Sequence, residues 1–285
     1  MQILVERIYI FTIYIIIMKK SNFLVAMFAM VLFIGFTSCG EDDENNGENA
    51  GTGNVFPEGT KRLASINDSY ETATFTYDGD KLVSVKEGNE QIITFNYTGN
   101  TVVMTSVYRD EKEIYTLNIG SNGFATSGSV KFIDSDGSED NGSFTFKYDG
   151  DYLTAIETTG DYGYDNYKLT WSDGNITKVV NESKEDSYPI TTNTYTSIYD
   201  TKINTAGLSF FEEVGTDVDD LEYAYYAGLL GKSTKNLLKS TDDGDGYVYS
   251  YSYELNSDNY PTKVTESYSY NGGSSSSSSR TYTYK

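Results

Sequence analysis

The chain contains no histidine, and its 285 residues include one cysteine, one tryptophan and three prolines. The absence of histidine excludes Ser-His-Asp and Cys-His catalytic sites, imidazole proton shuttles and histidine-ligated zinc or haem. A single cysteine excludes an intramolecular disulfide and a cysteine-ligated zinc cluster. So few prolines leave β-strands free to run long, because proline removes a backbone donor from a sheet.

Basic side chains are also scarce. The sequence has 21 Lys and Arg against 42 Asp and Glu, which gives a formal net charge of -21. Nucleic-acid binding depends on Lys and Arg that neutralise phosphates and release counterions. The sequence therefore predicts no nucleic-acid partner.

The N-terminal segment predicts export. Residues 18–20 are Met-Lys-Lys, residues 22–36 are largely apolar, and the small residues Thr37 and Ser38 precede the only cysteine, Cys39. This order of basic, apolar and small segments is typical of a secretory signal peptide. A transmembrane helix with an incidental cysteine is the alternative, but the apolar stretch is shorter than the roughly 20 residues that a spanning helix needs.

The same segment resembles a bacterial lipoprotein signal, in which small residues precede a cysteine that becomes the lipid-bearing first residue of the mature chain. The resemblance implies a signal peptide over residues 18–38 and lipid attachment at Cys39. Residues 1–17 are then interpreted as an upstream mis-start. Acyl chains hold a protein on a membrane without a spanning segment, so the membrane is a predicted partner.

Residues 39–59 are predicted to form a flexible tether, because they are rich in Gly, Asn and acids and poor in apolar side chains. The acidic run at 41–44 resembles the export signal that sends Bacteroidetes lipoproteins to the outer face of the outer membrane. A solvated spacer is the alternative. The predicted location is the outer membrane, lipid-anchored and facing the cell exterior.

One pattern recurs through residues 60–285, which are predicted to form a single domain. Each copy begins with an aromatic or aliphatic residue, then any residue, then an aromatic residue. A turn of Gly, Asp and Asn comes next, and in most copies an aliphatic-x-x-aliphatic stretch follows the turn. The copies begin at residues 75, 95, 146, 169 and 251. Gly beside Asp or Asn supplies the positive φ of tight hairpin turns, and the flanking residues alternate with period two. Each copy therefore predicts a β-hairpin.

The predicted fold is all-β, a long antiparallel meander of repeated hairpins with one short helix insertion at residues 217–231. Because twist accumulates and exposed edges aggregate, such a sheet is expected to curl into a barrel or half-barrel. The pattern predicts roughly a dozen strands, since some candidate segments merge or fail. The segments lie near 61–66, 71–78, 81–87, 91–97, 101–108, 112–119, 124–133, 143–149, 152–158, 166–172, 175–182, 188–197, 236–241, 246–255, 261–270 and 279–284.

Three motifs, at residues 75–82, 146–153 and 225–232, resemble a family of Bacteroidetes lipoproteins of unknown function with a porin-like fold. They resemble more distantly the tyrosine-aspartate repeats of large secreted toxin shells. The resemblance implies a porin-like β fold and no particular activity. A membrane-spanning porin is disfavoured, because a lipid tether would be redundant and the strands lack a continuous apolar band.

Tyrosines alternate along two predicted strands and have two interpretations. They can form a platform for sugar rings, or they can fill the core because the mature chain has few other large side chains. Trp171 occupies the repeat position of Tyr77 and Tyr148, so it is predicted to be a core residue. The candidate platform consists of Tyr247, Tyr249, Tyr251, Tyr253, Tyr268 and Tyr270.

Acidic loops at 134–140, 217–220 and 242–246 could supply carboxylate ligands for calcium. Hairpin turns use the same residue types because these suit the backbone conformation of a turn. No metal and no cofactor is therefore predicted. The sequence has no Gly-x-Ser-x-Gly motif or phosphate-binding loop, and it singles out no carboxylate pair for glycoside hydrolysis. The chain is predicted not to be an enzyme.

Together these features predict a lipid-anchored envelope or surface protein that binds without catalysis, its partner being a glycan or another envelope protein. Two alternatives stay open. One is a surface glycan-binding protein that uses the tyrosine-rich sheet face, and the other is a structural envelope component with no small ligand.

Overall fold

The structure is a computed structural model that describes residues 60–68, 70–216, 218, 220–273 and 276–285. The predicted mis-start 1–17, signal peptide 18–38 and tether 39–59, with the predicted lipidation site Cys39, lie outside the described residues. No described helix is long and apolar enough to cross a membrane.

The strands form a closed antiparallel barrel, in which each strand pairs with the next and β1 pairs with β16. The prediction of an all-β meander is confirmed, and each candidate segment overlaps one strand. The strands are β1 (Leu63–Asn67), β2 (Thr72–Asp78), β3 (Lys81–Glu87), β4 (Gln91–Thr98), β5 (Thr101–Tyr108), β6 (Glu111–Ile119), β7 (Ala125–Ile133), β8 (Glu139–Asp149), β9 (Tyr152–Gly160), β10 (Gly163–Ser172), β11 (Asn175–Glu185), β12 (Thr191–Ile203), β13 (Asn236–Asp242), β14 (Tyr247–Leu255), β15 (Pro261–Tyr270) and β16 (Ser276–Tyr284).

The two ends of the barrel differ. One end, which we call the base, holds Thr60, Lys285 and the turns after β2, β4, β6, β8, β10 and β14. Arg62 and Lys285 exchange backbone hydrogen bonds there, of 3.0 and 2.9 Å. The other end, which we call the open end, holds the turns after the odd-numbered strands. Residue 60, where the described chain begins, therefore lies at the base.

The five repeat copies form the hairpins β2–β3, β4–β5, β8–β9, β10–β11 and β14–β15, all turning at the base. In the first three copies the leading aromatic residue is an inward phenylalanine without a polar group. The residue at the second aromatic position of each copy carries a hydrogen-bond donor, which in four copies bonds a backbone carbonyl on an earlier strand. These bonds are Tyr97 Oη to Leu82 O (2.9 Å), Tyr148 Oη to Ala125 O (2.8 Å), Trp171 Nε1 to Leu153 O (2.7 Å) and Tyr253 Oη to Leu238 O (2.7 Å).

The interior of the barrel is filled by the connection between β12 and β13, residues 204–235, which we call the plug. Its apolar side chains are buried in one core with the inward residues of the strands. The Tyr226 ring lies 5.5 Å from that of Phe75 in β2, and the Leu229 carbonyl accepts a hydrogen bond from Ala125 of β7 at 2.8 Å. The barrel is therefore a packed core and not an open channel.

The only described helix, α1, spans Leu221–Tyr226 within the plug. The predicted span of 217–231 was too long. Gly228 and Gly231 adopt φ of 79° and 86°, left-handed conformations that end a helix. The Leu229 and Leu230 side chains are still buried, so their apolar spacing reflects packing against the barrel wall.

The outer face of the barrel is mostly polar. Side chains that alternate with the buried ones are exposed, as at Thr74 and Thr76 in β2 and at Ser143, Thr145 and Lys147 in β8. Apolar residues thus point inward and polar residues outward along these strands, as period-two alternation predicts.

Candidate binding cleft at the open end

Two neighbouring cavities lie between the plug and the barrel wall near the open end, with volumes of about 300 and 110 Å³. Arg280 and Glu213 line both, and we call the pair of cavities the cleft. One guanidinium faces many carboxylates in this space. The carboxylates lining the cleft belong to Asp68, Glu71, Glu87, Glu212, Glu213, Glu222 and Glu266.

Arg280 of β16 forms an ion pair between the barrel wall and the plug. Its Nη2 lies 2.6 Å from Glu213 Oε1 and 3.9 Å from Glu266 Oε2. The exposed fractions of the Arg280 and Glu213 side chains are 27% and 11%, so the pair is only slightly hydrated. Burial opposes the charge on Arg280, but Glu213 and the other acids raise its pKa. Arg280 therefore stays cationic and holds Glu213 in place.

Glu222 of α1 lines the smaller cavity. Burial, followed by the nearby Glu213 and Glu212, raises the pKa of Glu222 to about 8, although Arg280 opposes this. The carboxyl is therefore protonated at neutral pH and can donate as well as accept a hydrogen bond.

A second contact joins the plug to β3. The Tyr223 hydroxyl donates a hydrogen bond to Glu87 Oε1. Burial raises the pKa of Glu87, while this hydrogen bond lowers it. The Glu87 carboxylate is thus held by a hydrogen bond from the plug.

The six tyrosines of the predicted platform divide into two groups. Tyr251 is 8% exposed, and Tyr253 packs against the core while its hydroxyl bonds Leu238 O. The remaining four, which we call the rim tyrosines, form an aromatic cluster where β14 and β15 reach the open end. Their ring centroids are 4.7 Å apart for Tyr247–Tyr270, 6.1 Å for Tyr249–Tyr268, 6.4 Å for Tyr247–Tyr268 and 6.5 Å for Tyr247–Tyr249.

One of the rim tyrosines, Tyr249, borders the cleft. Tyr249 lines the larger cavity together with Tyr251 and Tyr195, while Tyr268 and Tyr270 are 43% and 44% exposed. The cluster therefore has partly exposed rings and adjoins, through Tyr249, a space lined with hydrogen-bonding groups.

Sequence reasoning missed Arg280, Glu213 and Glu222 as cleft residues. Arg280 shares its strand parity with Tyr282 and Tyr284, which predicts that it points inward, and an inward cation needs an acidic partner. No comparable signal marks Glu213 and Glu222, because the plug has no repeated pattern.

The arrangement can bind polar groups and hold a proton. Ionised carboxylates accept hydrogen bonds from hydroxyl or ammonium groups, Arg280 donates them, and protonated Glu222 can do either. Among the residues that the structure describes, no group of three or more acidic or cysteine side chains is arranged to hold a metal ion.

Comparisons with known proteins agree with this architecture. A porin-like protein from Bacteroides uniformis superposes with a TM-score of 0.60 at 17% identity, covering 81% of this chain and all of that one. A porin-like protein from Bacteroides vulgatus gives a TM-score of 0.57 at 16% identity, covering 79% and 99%. No curated protein matches. Residues 79–263 match the model of a domain of unknown function with porin-like fold, DUF4595, and the chain belongs to this family.

Proposed function

We propose that the chain is a lipid-anchored envelope protein, exposed at the cell surface, that binds a ligand without catalysis in the cleft. The observation that carries the proposal is the position of the cleft at the open end, opposite the base where residue 60 lies. The described chain enters the barrel at the base, so the cleft lies at the end opposite to this entry.

The polar outer face supports this arrangement. A transmembrane β-barrel carries an apolar band on its outer face, whereas β2 and β8 expose threonine, serine and lysine. In the proposed arrangement the barrel lies in water and acyl chains alone hold it at the membrane.

Cys39→Ser tests the anchor, with Ser38→Ala as the matched control that keeps a small residue before the cysteine. We expect the unaltered chain and Ser38→Ala in the membrane fraction, and Cys39→Ser released or unprocessed. Proteinase K on intact cells should digest the unaltered chain. A Cys39→Ser chain that is processed to the mature size and stays membrane-bound, or an unaltered chain that resists protease while a known surface protein is cut, contradicts the proposal.

The second candidate function names the ligand as a surface glycan. The rim tyrosines favour it, because aromatic rings that are partly exposed beside carboxylate and guanidinium groups can pack against a sugar ring while its hydroxyls are hydrogen-bonded.

A glycan array with the purified full chain tests this candidate. Tyr268→Ala and Tyr270→Ala should lose binding and keep the circular dichroism of the parent, whereas Tyr162→Ala, at an exposed tyrosine in the β9–β10 turn, should bind normally. Absence of binding across the array favours a structural envelope component with no small ligand. Release of shortened sugars from a bound glycan would contradict non-catalytic binding.

A further inference from the structure

A groove lies in the barrel wall at the junction between β9 and β10. We call such a junction between two neighbouring strands of different hairpins a seam. The two strands pair from Gly163–Gly160 to Lys168–Ala155, and the ladder ends there before either strand reaches the base. The groove that follows has a volume of about 730 Å³, within the roughly 300–1,000 Å³ of small-molecule sites. It is separate from the cleft and shares no lining residue with it.

Two aromatic side chains line this groove. The ring centroids of Tyr152 and Trp171 lie 4.6 Å apart, and both residues are half-buried. Trp171, which was predicted to be a core residue, packs against the core and also borders the groove. Its indole N–H is held by Leu153 O at 2.7 Å, so the ring has a defined orientation.

The equivalent seam between β3 and β4 is built differently. Tyr97 makes the same bond to Leu82 O, but the repeat position of Tyr152 is occupied by Lys81, whose Nζ lies 5.3 Å from the Tyr97 ring centroid. The β9–β10 seam therefore has two rings where the β3–β4 seam has one ring and an ammonium group. The hairpin repeat does not require this second ring.

The polar groups around the two rings carry both signs of charge. Exposed Lys147 and Glu157 form an ion pair, and Asn166, Lys168 and Glu182 complete this side of the groove. Such a mixture supplies hydrogen-bond donors and acceptors without a dominant charge. It matches a ligand whose hydroxyl groups both donate and accept hydrogen bonds and whose ring has an apolar face.

We propose that the groove between β9 and β10 binds a neutral oligosaccharide, with the rings of Tyr152 and Trp171 packed against a sugar ring and Lys168 and Glu157 bonding its hydroxyls. A peptide added as an extra strand fits less well, because the Trp171 indole already occupies the Leu153 carbonyl that the peptide backbone would need.

Trp171 is the only tryptophan in the chain, so its emission, excited at a wavelength that tyrosine does not absorb, reports on this groove. The full chain, purified in mild detergent, is titrated with maltohexaose, cellohexaose and mannohexaose. We expect a saturable change in Trp171 emission with at least one of them. Tyr152→Ala and Lys168→Ala should each weaken the affinity about tenfold, the size of effect that loss of one good contact produces. Tyr268→Ala, at the rim of the cleft, should leave this affinity unchanged.

Circular dichroism shows whether Tyr152→Ala is folded, and exposed Lys168 gives a variant that removes no core contact. The proposal is overturned if none of the three sugars changes the emission, or if folded Tyr152→Ala and Lys168→Ala both respond like the parent. It is also overturned if only an extended decapeptide of alternating valine and threonine changes the emission. Because the cleft is tested by other variants, failure here is distinguishable from failure of the proposed function.

Discussion

Glu222 is a carboxyl group placed among other carboxyl groups, with Arg280 as the nearby cation. Its pKa is raised to about 8 from an ordinary value of 4.5. Between these pH values the folded chain keeps a proton that the unfolded chain releases, so this group lowers stability progressively as pH rises.

Glu222→Gln should therefore stabilise the protein at pH 8 and leave its stability nearly unchanged at pH 4. We expect a gain of about 4 kcal/mol in the free energy of unfolding at pH 8, measured by urea denaturation. Glu111→Gln, at an exposed position at the open end, is the control and should show no such dependence. An equal effect of Glu222→Gln at both pH values would contradict the assignment.

Gly215 shows how closely the plug approaches the wall. Its φ is +89°, and a Cβ there would lie 2.3 Å from the Tyr195 ring. Gly215→Ala should lower the free energy of unfolding by about 3 kcal/mol, because strain in φ and a clash act together. Gly79→Ala is the matched control, with φ of +56° and no atom within 4 Å of the added Cβ. It should cost only about 1 kcal/mol, and equal losses in thermal or urea unfolding would argue against the close approach.

At the scale of the element, the hairpin repeat explains the abundance of tyrosine. The first aromatic position of a hairpin needs only an apolar side chain, whereas the second must also donate to a carbonyl on an earlier strand. Tyrosine and tryptophan meet both requirements, since each has an apolar body and a polar tip.

Tyr97→Phe and Tyr148→Phe should each reduce stability by about 1 kcal/mol, because each leaves a backbone carbonyl without its donor while the ring stays in place. Chemical denaturation of the two single variants measures this loss. Tyr70→Phe is the control, since Tyr70 is 94% exposed. If the three variants have the same stability as the parent, the hydroxyl bonds do not account for tyrosine at this position.

The hairpins could be predicted from sequence because their signals are local. Turn residues and period-two alternation lie within a dozen residues of each other, as in the copy that begins at Phe75. The plug could not be predicted in the same way. Its apolar spacing near Leu221 indicated a helix of 217–231, yet packing inside the barrel and the glycines at 228 and 231 limit the helix to one turn and a half.

At the scale of the whole molecule, closure depends on pairing between β1 and β16, where Leu63 lies opposite Tyr284. Removing residues 276–285 should expose the edges of β1 and β15 and uncover the plug, which loses Arg280. We expect aggregation or loss of the cooperative unfolding transition, measured by light scattering and thermal denaturation. Inserting two glycines after Gly272 keeps β16 and should leave the protein monodisperse. A truncated chain that stays soluble and unfolds like the parent would show that closure is not needed.

The sequence alone predicted the positions of the strands and hairpin turns, because these follow from neighbours along the chain. It did not determine whether the sheet closes or what fills it, since those outcomes depend on contacts between residues as distant as Leu63 and Tyr284. Parity also places Tyr249 and Tyr251 on one face without showing that Tyr251 is buried and Tyr249 only half-buried. That difference is seen only in the folded barrel, because depth depends on where the plug ends inside it.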